Sequence, residues 1–342
     1  MADHLPPPQA GGRTLVVGAG KAAASMALAV ERAYAGHNSA AQLDGLVVTR
    51  YAHGLPTAHV RVIEAGHPVP DEAGERAAAE ILARASELGP DDRLIVLVSG
   101  GGCAIASGPT VPDPSTYADA QAILRRYGAV VPPAVQAYLE RGARGEVAET
   151  PKPGDPLFSR VENRVIATAH GSLVAAAEHF RARGIQPVVL GDTVTGEAQE
   201  VARVYAALVR EIRAYNAPFA APVVLISGGE CTVTLPQGGG GAAGKPRGGR
   251  CSEFLLSLAL ELDGADNIYA IAADTDGIDG SEDNAGALLD PSTLARAQAA
   301  GAPARARLDA HDAWGFFEAA GDLVVTGPTR TNVNDYRAIL IL

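Results

Sequence analysis

The sequence predicts an α/β fold of two domains, with largely parallel sheets and helices on both faces. Three observations carry that expectation. The chain has 342 residues, more than one ordinary hydrophobic core organises. Short apolar runs alternate with amphipathic stretches rich in Ala, Leu, Glu and Arg, the pattern of strands feeding crossover helices. The first apolar run, RTLVV at 13–17, breaks at Gly18 and Gly20 into an alanine-rich segment, which is how a Rossmann-like strand, turn and helix begin.

In chain order, strand 13–17 leads through the glycine turn to a helix at 20–35. Apolar runs at 45–49 and 60–63 read as the next strands, and EAGERAAAEILARASEL behind Asp71, a natural N-cap, as a helix over 71–87. RLIVLV gives strand 93–98, followed by a helix at 116–127, a strand at 164–168 and a helix at 170–183. Strand 187–190 precedes a helix at 195–214, with Thr195 as its expected N-cap ahead of an acidic first turn. PVVLIS and the run behind it predict strands at 222–227 and 231–235. A helix at 250–262, a strand at 268–273, helices at 290–300 and 310–319 and a strand at 322–326 complete the series. YNAPFAAP at 215–222, where a long helix gives way to prolines, places the division between domains 1–216 and 217–342. LVSGGGCAI and LISGGECTV are a short echo of each other across that division, as consistent with chance as with duplication.

Composition narrows the function classes. A net charge of −11, from 28 basic and 39 acidic residues, argues against a surface built for nucleic acid or anionic lipid. An anionic substrate then needs a local basic pocket. Three cysteines without a CxxC spacing favour reduced thiols over a disulfide framework or a zinc site. MADHLPPPQAGGRT carries no apolar signal core, so a cytoplasmic location is expected.

The candidate site motifs follow the strands. Gly18, Gly20 and Ala23 fit the GxGxxA form of a dinucleotide fingerprint, but GLVVTRY ends its strand in Thr49 and Arg50 where NAD binding expects an acid, which leaves NADP open. Lys21 stands on that turn, where a helix N-terminus already favours anions; a solvated first-turn lysine is the plain alternative. His67, stiffened by Pro68 and Pro70, lies at a strand end where α/β sites form, or is simply a loop histidine. Ser99, Gly100, Gly101 and Gly102 form a turn whose backbone N–H groups can approach a phosphate, although the prolines at 109, 112 and 114 stop a helix from starting directly behind it. Asp274, Asp276, Asp279, Glu282 and Asp283 cluster after an apolar strand; they offer hard oxygen ligands for Mg²⁺, or an Asp/Gly turn. The segment QGGGGAAGKPRGGRCSEF carries Lys245, Arg247 and Arg250, able to fold over a phosphate or to form a hairpin tip.

Taken together, VVGAGKAAASMA, EAGHPVPDEAGE, SGGG, ASGPTVPDP, ISGGECTVTL, GGRCSEFLLSLALEL, TDGIDGSEDNAGALLD and DLVVTGPTRTNVNDYRAILI resemble the class II glycerate 2-kinases, older label hydroxypyruvate reductase. The resemblance runs over nearly the whole chain and implies a MOFRL-type domain from about Pro222. It implies transfer of the ATP γ-phosphoryl group to D-glycerate with Mg²⁺. The roles it implies are Lys21 on the transferring charge, Asp276 and Asp279 as catalytic and metal-binding acids, and Gly18, Gly20, His67, Ser99 to Gly102, Arg250, Glu253 and Asn332 around substrate and nucleotide. Two departures stand out. GGRCSEF has Cys251 and Ser252 where the family carries two amides, and only CAI separates SGGG from ASGPT, where the family has a long segment. Such a deletion leaves three functions open: a kinase, an NADP-dependent hydroxypyruvate reductase, and a catalytically impaired relative that binds nucleotide or glycerate. The oligomeric state is left open, a homodimer included.

Overall fold

The computed structural model describes residues 1–7, 11–35, 43–67, 69–100, 108, 110–235 and 246–342. The chain divides into two compact units, Met1–Gly101 with Ile166–Leu342, and Gly102–Val165.

The larger unit holds two sheets. Its first is wholly parallel, in the order β3-β2-β1-β4, from β1 (Thr14–Ala19), β2 (Leu43–Arg50), β3 (Val60–Ala65) and β4 (Arg93–Val98). Behind β1, α1 (Ala23–Tyr34) buries Ala23, Ala27, Val30 and Tyr34, one stripe at helical spacing, against Val16, Leu43, Val47, Val60 and Leu97. The alanines of that stripe let the helix lie close to the sheet. α2 (Glu72–Ser86) starts as expected at Asp71, whose carboxylate accepts the Gly74 N–H at 2.9 Å.

The second sheet runs β5-β6-β10-β7-β8-β9, from β5 (Gln186–Glu197), β6 (Val223–Thr232), β7 (Ile268–Asp274), β8 (Gly286–Leu289), β9 (Leu323–Val324) and β10 (Asp335–Ile341). Only β5 and β6 pair in parallel; β10 enters the middle of the sheet antiparallel to both β6 and β7, and β8 and β9 continue antiparallel. The α/β class holds, and the parallel rule applies to the first sheet alone. Both faces of β6 are covered, which explains its unbroken apolar run. Val223 and Leu225 join α6 (Ala198–Tyr215), α7 (Arg250–Leu262), α8 (Thr293–Ala299), α9 (Ala304–Asp309) and α10 (Ala313–Ala320) on one side. Val224 and Ile226 meet Leu173 and Ala177 of α5 (Ala169–Arg181) on the other. α7 is the centre of this unit, buried along almost its whole length, with Phe254 edge-on to Tyr205 at 5.5 Å.

In the smaller unit, α3 (Tyr117–Arg126) opens on a capping box of Thr116 and Asp119, and α4 (Pro133–Ala143) has proline in its first turn. The Tyr117 ring packs on Gly142 and edge-on to Tyr138. No residue of α3 is buried, and Ile123 is 56% exposed.

Several expectations are corrected. Thr195 lies inside β5, opposite Glu230 of β6, and α6 starts behind Glu197, which makes no side-chain cap; the pairing of β5 with β6 runs on through Glu197. Residues 164–168 form no strand: Val165 and Ile166 are exposed, and among the described residues no strand pairs with them. The two strands expected over 222–235 are one, β6. Helices α4 and α9 and strands β8 and β10 were not expected. Among the described residues no helix is long and apolar enough to cross a membrane. Phe254→Ala removes the largest apolar side chain of α7, and we expect urea unfolding to show a loss of about 3–5 kcal/mol.

Candidate active site

The site grows from the turn between β1 and α1. Gly20 has φ +117°, and a Cβ there would lie 1.9 Å from the Ser99 carbonyl oxygen, so only glycine lets β1 and β4 end side by side. Gly18 is pressed in the same way on Leu97. Ser99 Oγ accepts the Ala22 N–H at 3.0 Å and its own N–H donates to Ala19 O at 3.1 Å. The serine is thus committed to the start of α1. Gly100 follows it; Gly101, Gly102, Cys103, Pro109 and Lys245 lie outside the described residues.

The same turn aims Lys21 at Asp276, and the ammonium pairs directly with that carboxylate. Asp276 is 1% exposed and its second oxygen accepts the Ile278 N–H at 2.9 Å. Its carbonyl oxygen accepts the Thr329 N–H at 3.0 Å, and Ser25 Oγ of α1 donates to Arg330 O at 3.1 Å. Thr275 ties the other side of the loop, its Oγ donating to Asn334 O at 2.7 Å. Asn332 turns inward on its own backbone, its Oδ1 accepting the Asn334 N–H at 3.2 Å. Gly277 keeps the strand of contacts tight: at φ +95°, its Cβ would lie 2.2 Å from Gly327 O.

Beside this pair, Arg250 at the first turn of α7 bridges acids from two strands. Its Nε donates to Asp335 at 2.8 Å and its Nη2 to Asp274 at 2.8 Å, with Glu230 3.6 Å away. Asp335 is shared with the wholly buried Arg337, 2.6 Å away, which also reaches Cys231 Sγ and lies over the Phe254 ring. Burial, and then the Asp276 charge, push the Asp274 carboxyl up to about 7 in spite of Arg250. Burial lowers the Arg250 pKa, but Asp335 and Asp274 outweigh it and hold the guanidinium charged.

Asp279, three residues from Asp276, has a different employment. It is 1% exposed, its oxygens accept the Cys251 N–H at 3.0 Å and the Ser252 N–H at 2.7 Å, and Ser252 Oγ bonds it as well. It satisfies the open N–H groups of α7 from another part of the chain. Burial raises its pKa even so. Glu253 is likewise engaged away from Lys21, with His311 Nδ1 at 3.0 Å and Gln199 Nε2 at 2.8 Å. His67 stands exposed behind β3; desolvation of its protein side, then Lys21 and Arg50, lower its pKa and keep it neutral near pH 7. Arg247 stacks on Trp314, 3.7 Å from guanidinium carbon to ring centroid. The structure therefore brings Lys21, Asp276, Ser99 and the loop carrying Asn332 together, with His67 in electrostatic reach and Arg250 on the neighbouring acids. Asp335 and Arg337 were missed from the sequence; an acid and a base two apart in DYRAILI share one strand face, the available signal.

Asp276 and Asp279 do not fit a shared Mg²⁺, because Asp279 is closed by α7 and Asp276 by Lys21. Among the described residues no group of three or more His, Cys, Asp or Glu is placed to hold a metal ion.

Comparison with known proteins adds an independent finding. Residues 223–335 match the MOFRL family, and residues 3–105 and 103–140 match the domain of unknown function DUF4147 as two segments. A putative hydroxypyruvate reductase of Agrobacterium vitis is 42% identical, over 96% of this chain and 87% of that protein. A glycerate 2-kinase of Pyrococcus horikoshii is 32% identical, over 94% and 86%. These alignments run over 400 and 397 positions, more than the 342 residues present here. The crystal structure of a glycerate kinase from Thermotoga maritima superposes with a TM-score of 0.75 at 26% identity, covering 97% of this chain and 92% of that one.

Asp274 supplies a test with a defined sign. Its carboxyl ionises near pH 4 when unfolded and at about 7 when folded, so between those values the folded state holds the extra proton. Its contribution to stability is therefore full below about pH 4 and is lost as the pH rises to about 7. Asp274→Asn removes that decline, and we expect the stability difference between variant and parent, from urea unfolding, to move in the variant's favour from about pH 4 to about pH 8.

Proposed function

The chain belongs to the class II glycerate kinase family, in which a DUF4147 domain is joined to a MOFRL domain, and from that premise we propose that it transfers the γ-phosphoryl group of ATP to the 2-hydroxyl of D-glycerate. The observation that carries the site assignment is the Lys21–Asp276 pair. Phosphoryl transfer asks the protein mainly for positioning and for charge where charge develops. Lys21 supplies a compact cation on a helix N-terminus, and Asp276 holds it there and accepts the proton of the attacking hydroxyl. In the transfer the hydroxyl oxygen bonds the γ-phosphorus, the bond to the β-phosphate oxygen breaks, and ADP leaves. Arg250, fixed by Asp274 and Asp335, keeps positive potential beside the two acids. Asp279 is assigned to the start of α7 and leaves the list of metal ligands. Mg²⁺ would enter bound to ATP, as part of the nucleotide substrate. Residues 217–342 constitute the MOFRL-type domain in this proposal.

The DUF4147 match changes segment at 103–105, between SGGG and ASGPT, and the alignments to relatives are longer than the chain. Both support an internal shortening at that junction, and hence turnover below that of full-length relatives. The name of the Agrobacterium vitis relative favours the reductase as second reading. Against it, Ser99 fills the space over Gly20 and takes the Ala22 N–H that a dinucleotide pyrophosphate would need. NADPH oxidation with hydroxypyruvate, followed by absorbance beside an ADP-coupled assay with D-glycerate, separates the two.

Lys21→Ala is expected to lower kcat with ATP and D-glycerate by about 10²-fold or more. It also leaves Asp276 buried without its cation, so a loss of stability is expected. Lys21→Ala combined with Asp276→Asn should regain stability in thermal unfolding without regaining turnover. Recovery of both would reduce the pair to a structural contact.

A further inference from the structure

Arg330 is placed in this site by its backbone, and its side chain is unused. Its carbonyl oxygen accepts Ser25 Oγ of α1 at 3.1 Å, while the neighbouring Thr329 N–H donates to Asp276 O at 3.0 Å. The residue is thereby pinned between the helix that follows Lys21 and the loop that carries Asp276. It adopts φ +58°, a left-handed conformation that a long side chain takes at a cost and that glycine takes freely. Its Nε is buried with no hydrogen-bond partner. Among the described residues no carboxylate pairs with its guanidinium, in contrast to Arg250, Arg296, Arg307 and Arg337, each of which has one. A buried, unpartnered guanidinium nitrogen is expensive, and an incoming oxyanion is the group that satisfies it in a planar, two-bond geometry.

We propose that Arg330 is a substrate-binding residue that takes an oxyanion of the reactants, either the carboxylate of the hydroxy acid or a phosphate of the nucleotide. The assignment rests on the phosphoryl-transfer reading of the same site. It goes further in giving the anion a specific donor, on a chain whose net charge of −11 otherwise repels both reactants.

Arg330→Gly is the decisive variant, since glycine suits the left-handed backbone and the fold is expected to keep or raise its Tm. D-glycerate and MgATP are titrated separately by calorimetry into parent and variant. The expected result is a loss of affinity of about tenfold or more for one of the two, with the other within about twofold; the weakened ligand identifies the oxyanion. Arg330→Lys, which keeps the charge and loses the planar fork, should lie between them. Unchanged affinity for every ligand the parent binds overturns the role of Arg330, as does equal weakening of both with a lowered Tm. A parent that binds MgATP and not D-glycerate overturns the glycerate assignment alone, and Arg330 is then judged on the nucleotide. A parent that binds neither overturns both.

Discussion

The pairing of Lys21 with Asp276 is the constraint on which the rest of the site depends. It joins residues 255 apart in sequence, from the end of the first parallel sheet to the loop behind β7 of the second. Withdrawing an ammonium and a carboxylate from water costs several kcal/mol per ion, and their attraction offsets that only when the geometry is fixed and the remaining lone pairs are used. The chain meets both conditions. Gly20 brings the turn close enough to Ser99 for Ala22 to be capped, and Asp276 has Ile278 and Thr329 to satisfy its second carboxylate oxygen and its carbonyl. A pair built this way contributes little net stability and a great deal of placement.

The same economy governs the acids and bases of the second sheet. Arg250, Asp335 and Arg337 alternate in charge, so each buried ion faces its opposite, and Asp274 extends the chain toward Asp276. Burial, and then the Asp276 charge beside it, outweigh the Arg250 guanidinium, and Asp274 holds its proton to about pH 7. Asp276, beside it, faces the Lys21 ammonium instead. Arginine suits these positions better than lysine because one planar group can bond two acids from different strands.

Much of this was legible in the sequence, for physical reasons. Strands β1, β2 and β6 read as apolar runs because both of their faces are largely covered, and Asp71 announces α2 because a carboxylate before a helix has an obvious task. Lys21 and Asp276 could be named from their places on a glycine turn and behind a strand. What could not be read was the partner of each acid. Asp276 and Asp279 stand three apart in TDGIDG with the same flanking glycines, yet one meets Lys21 and the other the N–H groups of α7. Local pattern does not distinguish them, because the difference lies in which element packs above. β10 was hidden for a related reason: Arg337 in its middle looks like solvent-facing sequence, and only Asp335, Cys231 and Phe254 around it make a buried arginine tenable. Thr195 misled because a good capping residue inside a strand carries the same local signal as one before a helix.

Where the site draws its residues also bears on the short junction behind Ser99. Lys21, Ser25, Ser99, Arg250, Asp274, Asp276, Arg330 and Asp335 all belong to the larger unit, and each is held by partners in that unit. β4 pairs with β1 through its backbone from Arg93 to Val98, before the junction begins. A stretch missing between Gly102 and Ser107 would therefore remove groups delivered to the reactants and leave the scaffold that positions the rest. The smaller unit shows the other side of that separation. Its helices have sound caps and a Tyr117–Tyr138 contact, but almost nothing buried beneath them, with Ile123, Tyr127 and Val130 exposed. Helices that keep their ends and lack a covered apolar face owe their form to local hydrogen bonding more than to packing, whereas α7 and the strands beneath it owe theirs to packing. Arg250, Asp274 and Asp335 lie on elements of the second kind, and Lys21 and Asp276 on short turns directly attached to β1 and β7, strands that a core holds in place.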